Sequence, residues 1–71
     1  MLKRLFGQRL QQIREMRGMT QEELAEAMGV ADARTIRYWE AGRNSPNIAK
    51  LEPLAKVLGV KSADFFKDLE I

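Results

Sequence analysis

The chain has 71 residues, 45% of them hydrophobic and 31% charged, with a formal net charge of +2 at pH 7. That is the composition of one small folded domain, near the lower end of sizes that fold alone, and not of a disordered tail. It contains no cysteine and no histidine. Disulfides and thiolate metal sites are therefore excluded, a reducing cytoplasm is the expected location, and the commonest side chains of nucleophilic, acid–base and zinc chemistry are missing.

The first ten residues are interrupted by charge and do not read as a signal peptide. No apolar run approaches the roughly 20 residues that a membrane span requires. Charge distribution says more than the total. Residues 1–20 carry Lys3, Arg4, Arg9, Arg14 and Arg17 against Glu15 alone, a local basic excess of the kind expected on a nucleic-acid face.

In chain order, Leu2, Phe6, Leu10 and Ile13 recur at spacings of three and four and predict an amphipathic first helix. Met16 extends its apolar face, and Gly18 is its left-handed stop. Thr20 opens a second helix: Thr20 and Glu23 have the spacing of a capping box, and Met19 and Leu24 that of a hydrophobic staple. Glu22 and Glu23 fall in its first turn, where the helix dipole favours them. Gly29 ends it, and Val30 plugs the turn. Asp32 is the expected N-cap of a third helix from Ala33 to about Ala41, closed by Gly42. Residues 43–47 form a loop by composition. Ile48, Leu51, Leu54, Ala55 and Leu58 describe a fourth helix stopped by Gly59. Pro53 either kinks it or stands in its first turn. Ser62 caps a short fifth helix containing Phe65, Phe66 and Leu69. The expectation is a single all-α domain of five helices over residues 1–71.

The second and third helices carry the functional signal. Leu24 and Met28 face inward, and Ala25 is small where another helix has to cross closely. On the third helix Ile36, Trp39 and Glu40 share one face, while Arg34, Arg37, Tyr38 and Ala41 share the opposite one. Two short helices joined by a glycine-containing turn, the second with a basic outer face, make a helix-turn-helix pattern. Such a helix suits the major groove. Trp39 shares its face with Ile36 and reads as core rather than as a stacking platform.

From about Phe6 to Phe66 the chain resembles the Cro and phage-repressor (lambda-repressor-like, XRE) type of helix-turn-helix domain. The resemblance rests on Phe6, Arg9-Leu10, Ile13-Arg14, Thr20-Gln21-Glu22-Glu23-Leu24-Ala25, Gly29-Val30, Ile36 and Trp39-Glu40-Ala41-Gly42. It continues through Pro46, Leu51, Leu54-Ala55, Leu58-Gly59-Val60 and Phe65. It implies a compact five-helix fold with the reading helix third. Gln21 matches a glutamine that binds a phosphate and braces that helix. Ala33, Arg34, Arg37 and Tyr38 fall where the family sets side chains against base edges, and Arg43 and Asn44 fall where the chain meets the sugar-phosphate backbone. Arg14 and Glu40 match an internal ion pair between the first and third helices. One departure stands out: Val30-Ala31-Asp32-Ala33 holds one residue more than the usual turn, and aligning Asp32 with the cap brings Ile36 and Glu40 into register.

The resulting expectation is a cytoplasmic transcriptional regulator, a repressor, that binds duplex DNA as a homodimer. Its operator is palindromic, with half-sites about one helical turn, roughly 34–36 Å, apart. Arg34 is placed to bond guanine O6 and N7 together, a contact that discriminates by about 1–3 kcal/mol. The Glu22, Glu23 and Glu26 face is a solvated, capping surface with RNA polymerase as its possible partner. Phe66, Leu69 and Ile71 are expected to form the dimer surface in preference to finishing the core. The rival reading is a protein-interaction module of the same fold that antagonises another regulator. No metal cluster, phosphate-binding glycine loop or nucleophile–base pair appears, so neither an enzyme nor a cofactor is expected.

Overall fold

A computed structural model describes residues 2–69, with side chains described over residues 3–66. The described residues form four α-helices and a terminal 3-10 helix: α1 Leu2–Met16, α2 Gln21–Met28, α3 Ala33–Glu40, α4 Ile48–Leu58, then Ser62–Leu69. The expected all-α class is observed, and the fifth helix is the tighter 3-10 form.

The core gathers one face of every element. Phe6, Leu10 and Ile13 come from α1, Leu24 and Ala25 from α2, Ile36 and Trp39 from α3, Leu54, Ala55 and Leu58 from α4, and Phe65 from the 3-10 helix. The apolar spacing of three and four in the sequence thus becomes the set of buried side chains. Phe6 ties the two ends of the chain together: its ring meets Phe65 edge-on at 5.3 Å between centroids and Phe66 at 5.7 Å. Among the described residues, no buried side-chain nitrogen or oxygen lacks a hydrogen-bond partner.

α1 lies directly against the end of α3. A Cβ built on Gly7 would stand 2.4 Å from the Trp39 carbonyl oxygen and 2.6 Å from that of Glu40, both backbone atoms. Gly42, at φ +76°, meets Arg4 in the same way, its missing Cβ falling 2.9 Å from the Arg4 Cα. Only glycine allows the two backbones to approach this closely at these two points. The crossing sets where the end of α3 lies.

Several local expectations are corrected. Met16 does not extend the apolar face of α1; it is 81% exposed, although Ile13 in the same last turn is buried. Ile48 is 86% exposed, so the buried face of α4 starts at Leu51, half-buried against the core. Of the two readings of Pro53, the first-turn one is overturned: the helix runs from Ile48 to Leu58 with Pro53 in its second turn. The hydrogen bond it cannot donate would have gone to the Ala49 carbonyl, and both residues are exposed. Asn47 caps α4 by accepting from the Lys50 N–H at 3.1 Å. Ser62 is the first residue of the 3-10 helix, and the turn is tied by Asp64 Oδ2 accepting from the Lys61 N–H at 3.0 Å.

Candidate nucleic-acid interface

α2 starts as its sequence predicts. Thr20 Oγ1 accepts from the Glu23 N–H at 3.0 Å, and Glu23 Oε1 accepts from the Thr20 N–H at 2.8 Å. This reciprocal box satisfies two donors that a helix start would leave open. The longer turn keeps the register proposed for it. Ala31, the additional residue, is exposed, while Asp32 is extended and its Oδ1 accepts from the Arg34 N–H at 2.7 Å. α3 therefore begins at Ala33, and Ile36, Trp39 and Glu40 are buried.

The angle of α3 is held by a polar cluster inside the fold. Glu40 is only 8% exposed, and so is Arg14. Arg14 Nε donates to Glu40 Oε2, Arg14 Nη2 donates to Oε1 at 3.2 Å, and Gln21 Nε2 donates to the same Oε1 at 3.0 Å. Arg14 Nη1 donates to the Met19 carbonyl at 2.7 Å. Four segments thus meet on one carboxylate and one guanidinium: α1, the α1–α2 turn, the start of α2 and the end of α3. The hydrogen bond to Glu40 is the main cause holding the Arg14 guanidinium above its ordinary pKa, with burial opposing it. Gln21 thereby ties the start of α2 to the end of α3.

With one face so engaged, α3 presents the other. Arg34 and Arg37 are exposed, as are Arg43 and Asn44 just beyond the helix, whereas Ala33 and Tyr38 are half-buried. Ala33 packs against the core. The two arginines line a shallow open depression with Glu22, Asp32 and Ala33. The local field is therefore mixed rather than uniformly positive, which favours directed contacts by the guanidinium forks over diffuse attraction. Tyr38 and Arg43 do not point apart: the Arg43 guanidinium lies over the Tyr38 ring, 5.1 Å from its centroid.

Part of the basic excess of residues 1–20 also serves the fold. Arg14 is in the buried pair. Arg9 Nε donates to the Asp64 carbonyl at 3.1 Å, and Arg17 Nη2 donates to the Gly59 carbonyl at 3.2 Å, at the C-terminal end of α4 where a cation is favoured. Three of the five cations thus stitch α1 to distant segments, and of these Arg17 stays exposed and Arg9 half-buried, so their charge remains at the surface.

This arrangement has known counterparts. The profile of the helix-turn-helix family HTH_3 matches residues 10–65. The chain belongs to that family. The resemblance to phage-repressor domains is also supported by relatives. The phage CTXphi transcriptional repressor RstR of Vibrio cholerae is 35% identical over 66 residues, covering 93% of this chain and 59% of that protein. An HTH-type transcriptional regulator of Sinorhizobium fredii, y4wC, is 39% identical over 62 residues, 87% of this chain and 43% of the relative. The chain therefore spans about half the length of these curated relatives. Among solved structures, the restriction-modification controller protein C.AhdI from Aeromonas hydrophila superposes with a TM-score of 0.84 at 30% identity, covering 90% of this chain and 96% of that one.

Sequence reasoning did not single out Gly7 or the Tyr38–Arg43 contact. For Gly7 a signal existed, since an isolated glycine inside a helical pattern costs about 1 kcal/mol and usually has a packing reason. For the Tyr38–Arg43 contact the signal lay in the glycine between them, which ends α3 and turns the chain back on its last turn.

Proposed function

We propose that this chain is a sequence-specific, double-stranded-DNA-binding transcriptional regulator of the repressor kind, reading the major groove with α3. The observation that carries the reading is the two-sided character of α3. Ile36, Trp39 and Glu40 lock one side into the fold, and Arg34 and Arg37 stand exposed on the other. A helix with its side chains is about 10–12 Å across, and a major groove about 12 Å wide admits it. Arg34 and Arg37 then reach base edges, while Gln21, Arg43 and Asn44 meet phosphates and fix the register. Ala33, half-buried beside Arg34, bounds the first turn of that surface.

One α3 reads only a few base pairs, so the working species is a homodimer on a palindromic operator. Phe66 borders an open apolar groove with Phe6, Pro46 and Leu51, and belongs to the surface assigned to the second copy. The side chain of Leu69, and Ile71, lie outside the described residues. Exposed Glu22 and Glu26 leave an acidic surface on α2 for RNA polymerase bound alongside, whereas Glu23 is engaged in the capping box. The cytoplasm is the compartment that fits this role, and no described helix is long and apolar enough to cross a membrane.

The test is retention of duplex DNA by the purified chain. Sites selected from a random duplex library should converge on a symmetric motif, and their affinity should fall steeply with added salt as phosphate contacts release counterions. A chain that retards no duplex at low salt, its own promoter included, refutes the proposal in favour of an interaction module that antagonises another regulator.

A further inference from the structure

All four α-helices close on the same turn. A glycine at φ between 70° and 76° donates to the carbonyl three residues back, and the residue after it donates to the carbonyl five back. This geometry folds the residue after the glycine over the last turn of the helix, where it ordinarily makes an apolar contact. In α1, α2 and α4 that residue is Met19, Val30 or Val60, each packed against the core. At the end of α3 it is Arg43. Its N–H donates to the Tyr38 carbonyl at 3.0 Å, and its side chain takes the place of the apolar contact by lying over the Tyr38 ring.

We propose that Tyr38 is a positioning residue for Arg43: its ring is the platform that holds the Arg43 guanidinium at the C-terminal end of α3, ready for a DNA phosphate, and the tyrosine itself reads no base. This deepens the DNA-binding reading of α3 and rests on it. A cation–π contact engages the flat face of the guanidinium and leaves its N–H edge available for the bidentate pairing that phosphate accepts. A flexible arginine loses rotamer freedom when it binds; one already docked on a ring loses less. The contact is local in origin, because backbone hydrogen bonds fix where Arg43 leaves the helix. The tyrosine hydroxyl takes no part in it.

The experiment measures binding of the full chain to a selected duplex and to a random duplex, by fluorescence anisotropy over a series of salt concentrations. Removing the ring with Tyr38→Ala should weaken both duplexes by the same factor, about two- to fivefold. Tyr38→Phe, which keeps the ring, should restore binding. The Tyr38→Ala/Arg43→Ala double variant should bind no more weakly than Arg43→Ala alone. In the free protein the Arg43 side-chain methylene protons should show an upfield ring-current shift that Tyr38→Ala abolishes and Tyr38→Phe preserves. A changed base preference in Tyr38→Phe, or losses that multiply in the double variant, overturns the assignment while the parent reading stands. A wild-type chain that binds no duplex overturns both, and the unchanged melting temperature expected of Tyr38→Phe guards against simple misfolding.

Discussion

Glu40→Ala is expected to cost the fold more than any other single truncation among its charged residues. Three donors converge on this carboxylate, two from Arg14 and one from Gln21. Without it the Arg14 guanidinium, whose side chain is 9% exposed, keeps the Met19 carbonyl and the exposed Glu15 carboxylate 3.8 Å away. Arginine does not escape by losing its proton at neutral pH. Breaking one partner out of a buried pair costs about 3–5 kcal/mol. Two terms offset this. Alanine is a better helix former by a few tenths of a kcal/mol, and a carboxylate at the end of α3 opposes the helix dipole by up to about 1 kcal/mol. The net loss is about 2–4 kcal/mol. A domain of this size is stable by only about 4–11 kcal/mol, so the melting temperature should fall by at least about 8 °C. Thermal and urea unfolding followed by circular dichroism measure it. Replacing both partners, Arg14→Met with Glu40→Leu, should recover most of the loss, because no unpaired charge then remains buried. A Glu40→Ala chain that melts within about 4 °C of wild type, or a double variant weaker than the single, would refute the view that the cluster acts as one desolvated unit.

Two other substitutions address the crossing of α1 over α3 and the reading face. Gly7→Ala should destabilise despite the gain of about 1 kcal/mol that alanine brings to a helix interior. Its Cβ would press on two backbone carbonyls that cannot rotate aside, and overpacking typically costs about 1–3 kcal/mol or more; a higher urea midpoint in Gly7→Ala would contradict the close approach. Arg34→Ala should weaken the selected duplex by about 1–3 kcal/mol more than random DNA, measured as a ratio of dissociation constants at one salt concentration, and equal losses on both would mean that Arg34 touches only phosphate.

The parts of the fold that were legible in the sequence are those set by short-range rules. The capping box at Thr20 and Glu23 and the Asp32 cap depend on atoms within three residues, so spacing alone identifies them. The buried faces followed from helical periodicity, and Ile36, Trp39 and Glu40 lie inside as that periodicity requires. The pairing of Arg14 with Glu40, 26 residues apart, was legible only through family resemblance. Arg9 and Arg17 show the opposite case. Nothing local says that these cations will reach backbone carbonyls 55 and 42 residues away, so only their charge was legible and not these bonds.

What the sequence determined by itself is therefore the helix-turn-helix pattern, the register of α3 despite its longer entry turn, and which of its faces carries Arg34 and Arg37. Capping bonds and the 3.6-residue period act within one or two turns and leave little choice. Tertiary structure decided the rest. It buried Arg14, tied Arg9 and Arg17 to distant carbonyls, left Met16 and Ile48 in solvent, and brought two backbones together at Gly7. Each of these depends on where a distant element or a reversed chain comes to lie, and the periodicity of a single helix holds no information about that.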